Sequence, residues 1–238
     1  MEKKFCAHRG VSKLIPQNTL PAFGAALALG ADEIEFDVRL SKDGQLMVYH
    51  DILMETVTDV LGNVGDYTAA ELKQICIEPE KGWRVPLCTV EEVFRQFANK
   101  LTFNIHVKEA GEDGYVIREL VKLIDRYAAW EHAYFAASPN ELEWMERVAP
   151  QIRRVAIQLP NDPIGILEMA QKYHCWGVQL WIYEFDEEDI RKLHEAGLVC
   201  NMFWSDNMEG YDKYYAMGVD TILTNRMDLA AMYRAQKA

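Results

Sequence analysis

The chain has 238 residues, 50% of them hydrophobic and 26% charged, with a formal net charge of −12. That length suits one large α/β barrel or two small domains, and folding at this size needs neither disulfides nor a structural metal. The acidic balance argues against a nucleic-acid partner, which calls for a basic patch, and no run approaches the ~20 apolar residues of a membrane span.

The N-terminal MEKKFCAHRG has a positive start but no apolar stretch behind it, so no secretion signal is expected. The five cysteines form no C-x-x-C pair and read as reduced core thiols. A cytoplasmic location is expected, and a homo-oligomer is compatible with the sequence.

Short apolar runs alternate with helical patterns along the chain, which predicts a parallel sheet surrounded by helices. Lys4–His8 is the first expected strand; a helix over Thr19–Leu29 follows, capped by Asn18 and stopped at Gly30. The next two strands, Glu33–Val38 and Leu46–His50, are too close for a parallel crossover, which needs about a dozen residues. They are expected as a hairpin turning on Asp43-Gly44, in a register that sets Asp37 opposite His50. Further strands are expected at Leu101–Lys108, Ala133–Ala136, Arg153–Gln158, Gly177–Trp181, Val199–Phe203 and Thr221–Thr224. Ser138 and Glu141 have capping-box spacing ahead of a helix over Leu142–Val148, and the acidic run Asp186–Asp189 marks another helix start. Counting the hairpin as an extension of strand two leaves eight parallel strands. A TIM-type (β/α)8 barrel follows, with residues 1–238 as a single domain and a small insertion near residues 52–84.

Three segments carry chemistry. His8-Arg9-Gly10 ends the first strand, which in a barrel is the catalytic face. Glu35 and Asp37 lie two apart on a strand, so both carboxylates share one face. Two desolvated anions side by side need a cation, either a Lys or Arg partner or a hard divalent ion. The hairpin adds the His50 imidazole to that cluster. In the third segment Phe103, Ile105 and Val107 alternate with Asn104, His106 and Lys108, which turns three polar side chains toward the barrel interior. Inward polar groups need partners, and a site supplies them.

Taken together, HRG, PQNT, EFDV, SKDG and HD, then NIHVK and the closing GVDTILTN, resemble the glycerophosphodiester phosphodiesterases in order and spacing over nearly the whole chain. The resemblance implies a TIM barrel, hydrolysis of a small-molecule glycerophosphodiester to glycerol 3-phosphate and an alcohol, and one divalent metal ion, Mg²⁺ or Ca²⁺. It implies His8 and His50 as the general acid/base pair, Glu35 and Asp37 as metal ligands, and Arg9 and Lys108 as phosphate-contacting cations.

Three positions depart from the family pattern. His106 stands where a third metal ligand is usually Glu, which admits Mn²⁺ or Zn²⁺ as the ion. Gln17 replaces a glutamate in the usual P-E-N-T, and Thr56-Val57-Thr58 replaces an Arg-Thr-Thr. The late-strand aromatics Trp181, Tyr183, Phe203 and Trp204 fit either an apolar wall for a substrate headgroup or rim packing. A lysophospholipase D-like hydrolase and a non-catalytic phosphate-binding barrel are the competing functions. The first needs an apolar groove, and the second has no use for two positioned imidazoles.

Overall fold

The computed structural model describes residues 3–158 and 165–237. In chain order the elements are β1 (Lys4–His8), α1 (Leu20–Ala28), β2 (Glu33–Leu40), β3 (Leu46–Val48), α2 (Ala69–Leu72), β4 (Cys76–Ile77), β5 (Val85–Pro86), α3 (Val90–Phe97) and β6 (Thr102–Val107). Then come α4 (Tyr115–Arg126), β7 (Ala133–Ala137), α5 (Pro139–Val148), β8 (Arg154–Ile157), α6 (Ile166–Lys172), β9 (Gly177–Trp181), α7 (Glu187–Glu195), β10 (Val199–Phe203), α8 (Met208–Ala216), β11 (Thr221–Thr224) and α9 (Met227–Lys237).

Strands β1, β2, β6, β7, β8, β9, β10 and β11 pair in parallel in that order, and β11 pairs back onto β1 to close an eight-stranded barrel. The expected TIM-type fold is therefore present. β3 runs antiparallel to β2 as the hairpin extension.

Strand residues sort by period two. Phe5, Ile34, Phe36, Val38, Phe103, Ile105, Val107 and Phe135 face outward into the main core under the helices. The helices meet them with stripes of their own. In α3, Val90, Val93, Phe94 and Phe97 are buried, and the helix starts on a capping box between Thr89 and Glu92. Phe103 packs edge-on against Phe94 at 4.9 Å, and cutting it to Ala would cost about 3–5 kcal/mol. The acidic run behaves as expected, with Asp186 and Asp189 forming a reciprocal cap on α7.

The hairpin register differs from the expected one by a single residue. Val38 pairs with Val48 and Leu40 with Leu46, and the Tyr49 amide donates to the Asp37 carbonyl at 3.0 Å. Asp37 therefore faces Tyr49, and His50 lies just past the ladder. The cause is the turn. Ser41 and Gln45 close a three-residue loop in which only Gly44 is left-handed, at φ +79°, where a two-residue turn needs two such residues.

Two helix starts also differ. Thr19, not Asn18, caps α1 with its hydroxyl, and Asn18 sits in the left-handed region at φ +56°. Ser138 starts α5 without a side-chain cap, and the Glu141 carboxylate does not return to the backbone. In both places the polar side chain is turned to the barrel mouth.

The stretch between His50 and α3, which contains the expected insertion, folds over the hairpin as short turns, α2 and the β4–β5 pair. Its own apolar cluster joins Met54, Val64, Ala69, Leu72, Ile77 and Leu87 to Met47 and Tyr49 of the hairpin. Among the described residues, no helix is long and apolar enough to cross a membrane.

Candidate active site

Register builds the site. β1 pairs with β2 so that His8 lies beside Glu35, and β2 pairs with β6 so that Asp37 lies beside His106. All four side chains point inward at the C-terminal ends of their strands, where barrel loops gather. The first loop is held tightly. Gly10 adopts φ +81°, and a Cβ there would meet the Ala22 Cβ at 2.6 Å, so only glycine lets this loop lie on α1. Arg9 at φ +57° and Asn18 at φ +56° bracket the loop, with the Asn18 amide donating to the Arg9 carbonyl at 3.0 Å. Left-handed backbone in such residues costs of order 1–3 kcal/mol each and persists where the surroundings enforce it.

Asp37 is fully buried and ringed by donors. Asn18 Nδ2 donates to Oδ2 at 2.8 Å, Arg9 Nε lies 3.5 Å from the same oxygen, and Lys108 Nζ lies 3.0 Å from Oδ1. Burial by itself would raise this carboxyl, but Lys108, His106 and Arg9 outweigh it and hold Asp37 well below the usual carboxylate range. The Arg9 guanidinium is steadied from behind by Gln17 Oε1 at 2.8 Å, so the departure at residue 17 exchanges a charged partner for a neutral one.

His8 Nδ1 lies 2.8 Å from Asn225 Oδ1, while Asn225 Nδ2 donates to Asp206 Oδ2 at 3.0 Å. Asp206 accepts only, so the Asn225 oxygen faces His8 and the imidazole must carry its proton on Nδ1. That leaves Nε2 bare, 3.9 Å from Glu35 Oε2. His50 follows the same logic, with Nδ1 at 2.8 Å from Asp51 Oδ1, and two Arg39 donors pin its carbonyl at 2.8 and 3.0 Å. Burial lowers the pKa of both imidazoles, against the opposing pull of Glu35 on His8 and of Asp37 on His50. Each imidazole therefore holds a second proton less readily than a free one.

Glu35, Asp37 and His106 bring one ligand atom each within 4.8 Å of one another. His106 Nδ1 lies 3.3 Å from Asp37 Oδ1 and 3.7 Å from Glu35 Oε1. Among the described residues, nothing donates a hydrogen bond to the buried Glu35 Oε1 or to Asp37 Oδ1, although Lys108 counters the charge of Asp37. Buried carboxylate oxygens left in this state fit a divalent cation, and the mixed O,O,N donor set suits Mn²⁺ or Zn²⁺ at least as well as Mg²⁺. A second group, His194, Cys200 and Asp220, is satisfied internally: Asp220 Oδ2 contacts His194 Nε2 at 2.9 Å and the Cys200 amide at 2.8 Å. Burial and Asp220 push the Cys200 thiol up to about 12.

These groups converge on a cavity of about 270 Å³ lined by His8, Arg9, His50, His106 and Lys108 on one side. The family model for the glycerophosphoryl diester phosphodiesterase family matches residues 8–229. The chain belongs to that family. A glycerophosphodiester phosphodiesterase of Bacillus altitudinis is 40% identical over 244 residues, covering 98% of each chain. One from Caldanaerobacter subterraneus is 29% identical, covering 94% of this chain and 95% of that protein. An Oleispira antarctica phosphodiesterase, solved in complex with the product sn-glycerol-3-phosphate, superposes with a TM-score of 0.85 at 22% identity and 97% coverage of both chains.

Every site residue expected from sequence in this family member reaches the mouth of the barrel. Four more were not expected there: Asn18, read as a helix cap; Glu141, read as part of a capping box; Asn225, which fixes the His8 tautomer; and Asp206 behind it. Asn225 ends the GVDTILTN segment, so its signal was in hand, but no pattern tied it to His8 across 217 residues.

Proposed function

We propose that this phosphodiesterase hydrolyses glycerophosphodiesters to glycerol 3-phosphate and an alcohol, with a divalent ion held by Glu35, Asp37 and His106. The observation that carries the reading is the convergence of three imidazoles and two cationic side chains on one cavity, with the His106 ring backed by a buried carboxylate pair that has unsatisfied oxygens. The product complex of the Oleispira antarctica neighbour supports glycerol 3-phosphate as the product.

Arg9 and Lys108 orient the phosphate and offset its charge. One of His8 and His50 withdraws a proton from the attacking oxygen through its bare Nε2; the other, protonated at Nε2 as well as at Nδ1 before the step, supplies one to the departing alkoxide. Asn225 and Asp51 keep each Nδ1 engaged, so that each Nε2 is the working nitrogen. A bound ion would add charge stabilisation at the non-bridging phosphate oxygens.

The test is release of glycerol 3-phosphate from glycerophosphocholine by metal-stripped protein, with Mg²⁺, Ca²⁺, Mn²⁺ and Zn²⁺ restored separately and His8→Ala as control. Turnover restored by a metal and lost in His8→Ala is expected. No turnover with any of the four removes this reading and favours a phosphate-binding barrel.

One feature favours a second substrate. Ile52 (68% exposed), Leu53, Leu61 and Trp83 present apolar surface on and beside the insertion, as a lysophospholipase D-like enzyme would need for an acyl chain. Lysophosphatidylcholine in the same assay reads it directly.

A further inference from the structure

Two partners compete for one nitrogen of His106. Its Nδ1 is the atom turned toward the carboxylates, 3.3 Å from Asp37 Oδ1 and 3.7 Å from Glu35 Oε1. Lys108 Nζ lies 3.0 Å from that same nitrogen and 3.0 Å from Asp37 Oδ1. An ammonium only donates, so Nδ1 uses its single lone pair to accept from Lys108. Ligation of a metal needs that lone pair, and it cannot serve both. A glutamate at this position would have two oxygens and lone pairs to spare. The competition therefore follows from the departure at residue 106.

Charge points the same way. Glu35 and Asp37 bring two formal negative charges, which Arg9 and Lys108 balance with two positive ones, while a neutral His106 adds none. A divalent ion would enter this balanced cluster against a neighbouring ammonium. Of the two cations, Lys108 is the one able to leave. Arg9 is held from behind by Gln17 Oε1 at 2.8 Å, whereas Lys108, among the described residues, has no side-chain partner besides Asp37 and His106. Its four-carbon stem is flexible. It lines both the cavity of about 270 Å³ and a neighbouring depression of about 430 Å³ that adds Arg39, Asp51 and Thr56, so it has room to move.

We propose that Lys108 is a two-position side chain that couples the binding of phosphate to the binding of the ion. In one position, the one in this structure, it occupies the His106 lone pair and pairs with Asp37. In the other it lies on the substrate phosphate, and His106 and Asp37 are free to act as ligands. A phosphate draws Lys108 off its partners, so phosphate and ion each tighten the other's binding by the same factor. The inference rests on the ion-dependent hydrolase reading above and adds a control on when the ligands become available.

The test titrates the full chain, stripped of metal, with Mn²⁺ and follows the electron paramagnetic resonance signal of free Mn²⁺, calibrated in protein-free solution. Binding is thus read without turnover. Saturating glycerol 3-phosphate should tighten Mn²⁺ binding by wild-type protein about tenfold; an unchanged affinity, which needs no variant to measure, overturns the coupling. Without phosphate, Lys108→Met should bind Mn²⁺ about tenfold more tightly than wild type, and glycerol 3-phosphate should then add no more than about threefold. Equal or weaker binding by the variant means that Lys108 supports the ligands instead of blocking one, and overturns the proposal. In a His106→Glu background, where lone pairs suffice for both partners, the gain from Lys108→Met should shrink to about threefold or less. An undiminished gain there would show Lys108 acting by charge alone, which overturns the competition for the lone pair. Mn²⁺ that binds wild type and Lys108→Met alike keeps the hydrolase and its ion and loses only the switch. Mn²⁺ that binds neither protein removes the ion from both readings.

Discussion

Strand β2 carries three buried acids on one face, and the two ends of the barrel treat them differently. At the bottom, Glu33 accepts from the Tyr134 hydroxyl at 2.6 Å and from Lys4 Nζ at 3.4 Å, and Asn201 Nδ2 in turn donates to the Tyr134 hydroxyl at 3.0 Å. At the top, Glu35 and Asp37 each keep a buried oxygen without a hydrogen bond. Residue type, burial and strand are shared; the partners are not. A carboxylate with both oxygens engaged, as in Glu33, fixes a barrel, whereas one with an open oxygen is ready for something from outside.

The contrast can be broken first at the top. His8→Ala should reduce glycerol 3-phosphate release by about 10²- to 10⁴-fold while the thermal melt stays where it was. A melt that collapsed with activity would mean that His8 is structural. Next comes pH. Burial lowers the pKa of both imidazoles below the usual 6.5, so protons bind only at lower pH and the proton acceptor survives down to that point. The acid limb of the kcat/KM profile, where the acceptor becomes protonated, should lie below 6.5 and fall about tenfold per unit; an acid limb centred above 6.5 contradicts this.

At the bottom, Tyr134→Phe strips Glu33 Oε2 of its donor and should cost about 1–3 kcal/mol of stability in urea melts, with kcat within about twofold of wild type at a permissive temperature. A larger effect on kcat than on stability would erase the distinction between the ends. The smallest effect concerns Glu33 itself. Burial raises its pKa above 4.5, so between the unfolded and folded values the native state holds a proton that the unfolded chain has released. Stability from this group then falls as pH rises through that window and is constant above it. Glu33→Gln removes the slope, so the variant should gain on the wild type as pH rises from about 4.5, and parallel stability curves would show that Glu33 does not titrate there.

Much of this was legible in the sequence because it depends on short-range periods. Alternation along EIEFDV and FNIHVK assigned inward and outward faces correctly, and those faces, closed into a parallel barrel, bring Glu35, Asp37 and His106 together. The hairpin was read one residue out of register. Asp43-Gly44 is equally at home in a two-residue turn and in the last two positions of a three-residue one, and only the neighbouring Ser41–Gln45 bond decides. The site survived that error because Arg39 fixes the His50 backbone wherever the ladder ends. Asn18 and Glu141 were misread for a common reason. A polar residue at a helix start has the same sequence signature whether it bonds to its own backbone or turns away, and the competing partner lies elsewhere in the fold.

The apolar cluster of the insertion includes Met47 and Tyr49, and Tyr49 immediately precedes His50. Tyr49 is also anchored through its hydroxyl to the Met54 carbonyl at 2.9 Å. Residues such as Val64, Leu72 and Leu87, which do not line the cavity of about 270 Å³, thus set the seat of His50, the side chain proposed above to transfer protons. Evolution is not free to reshape the insertion for a new substrate by loop exchange alone. Each new lid has to bring a filling for the Tyr49 socket, or the gain in selectivity is lost in turnover.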